Sequence, residues 1–107
     1  MTDIIVYKQI YPAQCPKLAT LGIKSLVNLC FDGESAEQPS TLTLAKSASD
    51  AGLAYAHLPY DDALPAKMVH EFATLAKQLP KPLLLFCKSG GRAKRLYQSA
   101  TILGLLD

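Results

Sequence analysis

A three-layer α/β domain, with a mainly parallel sheet of four or five strands between helices, is predicted by three observations. Short aliphatic and β-branched runs alternate along the chain with amphipathic stretches of helical period. One run, PLLLFC at 82–87, is continuously apolar. That demands cover on both faces and a central place in the sheet. Finally, 107 residues, half of them hydrophobic, suffice for one core and leave no room for a second, so residues 1–107 are read as a single domain.

The elements follow in order. IIVY at 4–7 is a short strand; Pro12 and Pro16 open a helix ending near Leu21, with Gly22 as its left-handed stop. KSLVNLC at 24–30, bounded by Gly22 and the FDGE turn, reads as a buried strand. Pro39 and Ser40 start a helix whose apolar positions are Leu42, Leu44, Ala45 and Ala48 and which runs to Gly52. LAYAHLP at 53–59 is the third strand, ended by Pro59. Pro65 opens a stronger helix with Met68, Val69, Phe72, Leu75, Ala76 and Leu79 on one side and Lys67, Glu71, Thr74 and Gln78 on the other. After the PKP break comes strand 82–87, and a last helix begins around Arg92 and stops before Gly104.

Composition excludes several classes. Cys15, Cys30 and Cys87 form an odd set without a C-x-x-C, and both histidines lie far from any thiol, so neither a disulfide framework nor a zinc site is signalled. The first 16 residues, with Asp3 and Pro12, lack the form of a signal peptide, and no run reaches the roughly 18 apolar residues of a membrane span. The expectation is a cytoplasmic protein. A net charge of +2 with little aromatic interleaving argues against nucleic acid as a partner.

The distribution of charge is more telling. Between Glu71 and Asp107 there is no acidic residue, while Lys77, Lys81, Lys88, Arg92, Lys94 and Arg95 all lie there. Such a field attracts a small anion or an anionic group on a larger partner. Cys87 ends the central strand where the next helix begins, and ligands of α/β folds bind at such strand ends. Lys88, Ser89, Gly90, Gly91 and Arg92 follow it. Small residues let successive backbone N–H groups converge on one point, and the helix N-terminus adds partial positive charge. Lys88, Arg92 and the dipole favour the thiolate, and the planar fork of Arg92 suits two oxygens of a tetrahedral anion. The residues spell a cysteine nucleophile aimed into an oxyanion cradle, able to attack phosphorus or to carry a sulfur atom. A buried cysteine with solvated cations beyond it is the plainer alternative.

FCKSGGRAKRLY resembles the signature loop of dual-specificity cysteine phosphatases, and is closer still to the bacterial beta-lactamase hydrolase-like phosphatases, whose loop is typically C-R-S-G-x-R-S. LATLGIKSLVNL, GLAYAHLPYDD and KPLLLFCKSGGR extend the likeness over most of the chain. The resemblance implies a phosphatase that uses neither metal nor cofactor, forms a cysteinyl-phosphate on Cys87, and acts on a phosphorylated protein, a small phosphomonoester or a phosphoinositide. Free phosphate or sulfate would bind the same loop.

Three departures qualify it. Cys87 and Arg92 are separated by four residues, where most such phosphatases have five; Phe86 replaces the usual His; Ala93 replaces the hydroxyl residue that helps the sulfur leave, which predicts slow turnover. A short loop is also typical of rhodanese sulfurtransferases, although their G-H-I-P-G-A and early Asp-x-Arg stretches do not occur. A binding module without turnover is the third reading. The general acid separates phosphoryl from sulfur transfer, because only an alkoxide or phenoxide leaving group needs a proton. By the family likeness Asp62 is that acid and Asp61 its understudy; solvated turn residues are the plainer reading.

Cys30, in a "NLC" similar to that of tensin-type lipid phosphatases, is implied by that likeness to be a redox partner of Cys87, with a small core side chain as the alternative. The Ser89 hydroxyl is a candidate partner for the thiolate or the loop backbone. Cys15 is read as a helix-start residue without chemistry, His57 as a structural residue directed at the last helix, and His70 as lying on the polar flank of its own.

Overall fold

The chain's most apolar segments form a four-stranded, all-parallel sheet in the order β1-β4-β2-β3. The structure, a computed structural model, describes residues 3–61 and 63–106. The strands are β1 (Ile4–Tyr7), β2 (Ser25–Asn28), β3 (Ala54–His57) and β4 (Leu83–Phe86). A 3₁₀ turn at Pro12–Gln14 leads into α1 (Cys15–Thr20), and the longer helices are α2 (Thr41–Asp50), α3 (Ala66–Gln78) and α4 (Gly91–Ile102).

β4 is central, as its unbroken apolar run requires: Leu85 pairs with Val6 on one side and Val27 on the other. Successive side chains of a strand point to opposite faces, so LLLF feeds two cores. Leu83 and Leu85 join Val27, the α3 residues Val69, Phe72, Ala73 and Ala76, and the α4 residues Ala93, Leu96 and Ala100. Leu84 and Phe86 join Leu26, Ile10, Cys15, Leu44 and Ala48 on the face covered by α1 and α2. Cys15 is therefore a fully buried member of the second core, and burial raises its thiol pKa.

The strands are shorter than the apolar runs that announce them. Residues 24, 29, 30, 53, 58, 59, 82 and 87 lie outside the ladder proper, although Leu29 N–H still reaches the Phe86 carbonyl at 3.0 Å. Ser40 caps α2, its hydroxyl accepting the Thr43 N–H at 3.2 Å. On that helix Leu44 and Ala48 are buried as expected, but Leu42 is 80% exposed, because at 3.6 residues per turn position 42 lies on the side opposite Leu44 and Ala48. His57 also departs from expectation. Its Nε2 donates to the Cys30 carbonyl at 2.6 Å, tying β3 to the end of β2 rather than facing α4.

The strand order brings two loops together. The chain leaves β2 toward α2 on one face and leaves β4 toward α4 on the other, so adjacent strand ends diverge and open a crevice at the carboxyl edge. The 29–40 loop and the 87–90 loop border it.

Candidate active site

Cys87 emerges fully buried one residue beyond β4. The Gly90 N–H donates to its Sγ at 3.1 Å. That contact needs the chain to double back within three residues, and Gly90 does so at φ +95°, a left-handed conformation that a side chain disfavours. Gly91 has no positive φ, and an added Cβ would meet Ser89 Oγ at 3.7 Å, an ordinary contact within the protein. Ser89 is exposed and makes no hydrogen bond among the described residues; the N–H on the sulfur belongs to Gly90. α4 then starts at Gly91, and its second residue is Arg92.

The surroundings of Arg92 are the main thing the sequence hid. Its Nη2 donates to Glu34 Oε1 at 2.6 Å and its Nη1 to Glu34 Oε2 at 2.8 Å, a two-pronged ion pair with both side chains mostly buried. Nη1 also donates to the Tyr60 carbonyl at 2.9 Å, and Nη2 points at Cys30 Sγ at 3.7 Å. Tyr60, 3% exposed, returns the contact by donating its hydroxyl to the Arg92 carbonyl at 2.6 Å. The Arg92 hydrogen bonds hold the Glu34 carboxyl below the usual range, against the opposing effect of burial, and Glu34 in turn raises the arginine pKa. The segment without acids in sequence is thus not without acids in space. Nor do all its cations reach the site: Lys77 is in the last turn of α3, and Lys81 Nζ donates to the Ala76 and Leu79 carbonyls at the opposite end of β4.

Cys30 lies fully buried beside this pair. Its N–H is accepted by Asn28 Oδ1 at 2.9 Å, its carbonyl is taken by His57, and its Sγ lies 3.7 Å from Gln9 Oε1. Burial first, then the negative charge of Glu34, push the Cys30 thiol up to about 11, with Arg92 opposing. His57 therefore supports the site from behind and does not touch it.

Above these groups lies an open pocket of about 420 Å³ lined by Phe31, Glu34, Asp61, Lys88, Ser89 and Arg92. Asp61 is exposed there, one carboxylate oxygen accepting the Ala63 N–H at 3.0 Å in a local turn. Asp62 lies outside the described residues. Among the described residues no group of three or more His, Cys, Asp or Glu could hold a metal ion, and no helix is long and apolar enough to cross a membrane. Chemically, the pocket offers a guanidinium, a lysine and a carboxylate at the rim, while the Cys87 sulfur with its backbone donor is buried and is not part of the lining.

Glu34 and Tyr60 had no signal in the sequence beyond position. Glu34 sits in a turn after a strand end and Tyr60 next to the aspartate pair, and only the adjacency of β2 and β4 brings Glu34 to a partner 58 residues away.

Comparison with known proteins shows the family and the fold. Residues 1–103 match the family described as "Beta-lactamase hydrolase-like protein, phosphatase-like domain". A beta-lactamase hydrolase-like protein of Agrobacterium fabrum is 30% identical over 86 residues, which are 79% of this chain and 20% of that protein, so the chain spans about a fifth of that relative's length. Among solved structures, a "putative phosphatase" of Neisseria meningitidis superposes with a TM-score of 0.84 at 25% identity, over 91% of this chain and 70% of that one. A "putative phosphatase" of Shewanella putrefaciens shares the fold at a TM-score of 0.83 and 20% identity, over 97% of this chain and 66% of that one. With a family match running from the first strand through the last helix, this chain belongs to the phosphatase-like domains of the beta-lactamase hydrolase-like proteins.

Proposed function

We propose that the chain hydrolyses phosphate monoesters through a cysteinyl-phosphate intermediate. The observation that carries this reading is the Gly90 N–H on the Cys87 sulfur, in the same short loop that leads to Arg92, whose side chain lines a polar pocket with a carboxylate on its rim. The Cys87 thiolate attacks phosphorus, backbone N–H groups of residues 88–92 and the Arg92 guanidinium hold the equatorial oxygens, and Asp62 or Asp61 gives a proton to the departing oxygen. Water then cleaves the P–S bond, returning the thiolate and releasing phosphate. Ala93 is packed in the core with no hydroxyl to offer the departing sulfur, so this second step is slow and a burst of leaving group precedes steady turnover. Exposed Lys88 and Lys94 suit an anionic substrate carried on a protein, a small phosphomonoester or a phosphoinositide.

The acid is found by leaving-group dependence. The Asn variant of the acid loses about 10²- to 10⁴-fold in kcat/KM on an alkyl phosphate and far less on an aryl phosphate with an acidic phenol, because the latter departs without a proton. Asp61→Asn and Asp62→Asn are compared on both substrates. Thiocyanate formed from thiosulfate and cyanide, with no phosphate released from either ester, would replace this reading with sulfur transfer. Phosphate binding without either activity would leave a binding module.

Cys30 has a proposed second role in the same cycle. Hydrogen peroxide converts the Cys87 thiolate to a sulfenic acid; the Cys30 thiolate attacks that sulfur, the S–S bond forms, the S–O bond breaks and hydroxide leaves as water. With its thiol pKa near 11, Cys30 is thiolate only to about one part in 10⁴ at pH 7. Closure of the bridge from the sulfenic acid is expected to accelerate nearly tenfold per pH unit between 7 and 9, read by mass spectrometry against trapping with a dione. A Cys87 sulfinic acid with no intramolecular bridge at either pH rules the role out.

A further inference from the structure

The loop after β4 has a second side. Gly90 turns against the end of β1: a Cβ added to it would lie 3.6 Å from the Tyr7 carbonyl oxygen, and the Gln9 N–H donates to the Lys88 carbonyl at 3.3 Å. The loop and the end of β1 are thus stitched side by side, and α4 rises beside them from Gly91. Between them opens a groove of about 480 Å³, lined by Tyr7 and Lys8, by Ser89, Gly90 and Gly91, and by Lys94 of α4. Ser89 is the one residue it shares with the pocket lined by Arg92, so the two openings flank that residue.

The charge of the groove has one sign. Lys8 and Lys94 are exposed, and among the described residues neither ammonium makes a hydrogen bond or an ion pair. Lys46 and Lys67, by contrast, each lie beside a carboxylate one helical turn on. No acid lines the groove, α4 carries none, and Asp3 lies at the far end of β1. Two ammonium groups brought together from separate elements repel each other, and a dianion between them removes that cost. A phosphate monoester, with a charge of about −1.5 to −2 at pH 7, matches two lysines, where a carboxylate matches one.

We propose that this groove is a second phosphate subsite and that the substrate is a small bisphosphate. The phosphate to be hydrolysed enters the pocket lined by Arg92, and the other lies between Lys8 and Lys94. Hydrolysis of the first rests on the phosphatase reading; capture of the second does not. A group remote from the reacting phosphorus is held equally in the ground and transition states, so the subsite lowers KM and leaves kcat alone. A soluble bisphosphate and a lipid headgroup present the same chemistry to the two lysines.

Binding is tested first, without turnover. Alkane α,ω-bisphosphonates of increasing chain length are titrated by calorimetry against monophosphonates of the same length. At one length or more, the bisphosphonate is expected to bind wild type about 5- to 20-fold more tightly at low salt, a gain that shrinks as ionic strength rises. In the Lys8→Gln, Lys94→Gln double variant the gain is expected to fall to about twofold, the statistical advantage of two equivalent ends, with monophosphonate binding unchanged. Lys17→Gln with Lys24→Gln removes the same charge from exposed positions elsewhere and is expected to keep the gain. No gain at any length, or equal loss in both double variants, overturns the subsite.

Turnover then separates the two readings. On an inositol bisphosphate of the preferred spacing, the Lys8→Gln, Lys94→Gln variant is expected to raise KM about 5- to 20-fold with kcat unchanged, and to treat an aryl monophosphate as wild type does. A loss carried by kcat counts against the proposal. A bisphosphonate gain without phosphate release from any ester removes the phosphatase reading and keeps the subsite; phosphate release without the gain does the reverse. Sedimentation with phosphatidylcholine vesicles that carry a phosphatidylinositol bisphosphate identifies the source. Retention that the double variant loses assigns the lipid headgroup, and no retention beside an intact bisphosphonate gain assigns the soluble compound; either result upholds the subsite.

Discussion

Cys87→Ser is expected to abolish phosphate release from an aryl phosphomonoester, a loss of roughly 10⁴-fold or more in kcat, while leaving the fold and phosphate binding in place. A serine hydroxyl has no base on it among the described residues: position 87 meets the Gly90 N–H, while the carboxylates of the nearby pocket are engaged, Glu34 by Arg92 and the Phe31 N–H and Asp61 by the Ala63 N–H. Without an alkoxide there is no nucleophile. The fold should tolerate the change, because the Oγ inherits the Gly90 N–H and a buried polar atom with a partner costs little. Binding of free phosphate should hold, since the loop N–H groups and Arg92 proposed to receive it are unchanged. The measurement is a steady-state assay with a thermal melt and a phosphate titration on the same preparation. Residual activity within tenfold of wild type, with an unchanged melt, would falsify the nucleophile assignment and with it the proposed mechanism.

Arg92→Ala acts on both function and stability. Two oxyanion donors disappear together, and with single donors worth about 10²- to 10³-fold, a fall in kcat/KM of roughly 10³-fold or more is expected. At the same time the Glu34 carboxylate, whose side chain is 20% exposed, keeps the Phe31 N–H and loses its countercharge. A partly buried charge left alone costs less than a fully buried one, and about 1–3 kcal/mol of stability is expected to go. The pH dependence identifies the cause. Glu34 is held below its ordinary value of 4.5 in the folded chain, so the stability it contributes is complete above that value and lost as pH falls through the lower folded one. The gap between wild type and Arg92→Ala should be constant above about pH 5.5 and close as pH drops below 4.5. Urea melts at pH 7 and at the lowest pH where both chains fold would show it. A gap that does not change with pH would assign the destabilisation to lost packing of the arginine stem instead.

The sequence was informative wherever a property is local. The unbroken apolar run of β4 located the central strand, and the 3- and 4-residue spacing of Val69, Phe72 and Ala76 located the face of α3 that is buried. Leu42 was misplaced because it is two residues from Leu44, which on a helix puts it on the opposite side from the Leu44 and Ala48 stripe. In the loop, the positions of Cys87, Gly90 and Arg92 were legible since they belong to one strand end and one helix start. Which of the two adjacent glycines takes the left-handed turn was not legible, because they look alike until their φ angles are known.

By itself, then, the order of residues determined an α/β sheet with a thiol and an arginine at the end of its central strand. Those features depend on hydrophobic period, turn chemistry and the polarity of one strand-to-helix junction, all carried by residues near one another in the chain. Only the tertiary structure decided what the arginine faces. Glu34, Tyr60 and Cys30 arrive from two other strand ends, and they meet Arg92 because β4 inserts between β1 and β2. A run of cations with no acid among them in sequence became, through that insertion, a guanidinium with one edge already taken by a carboxylate.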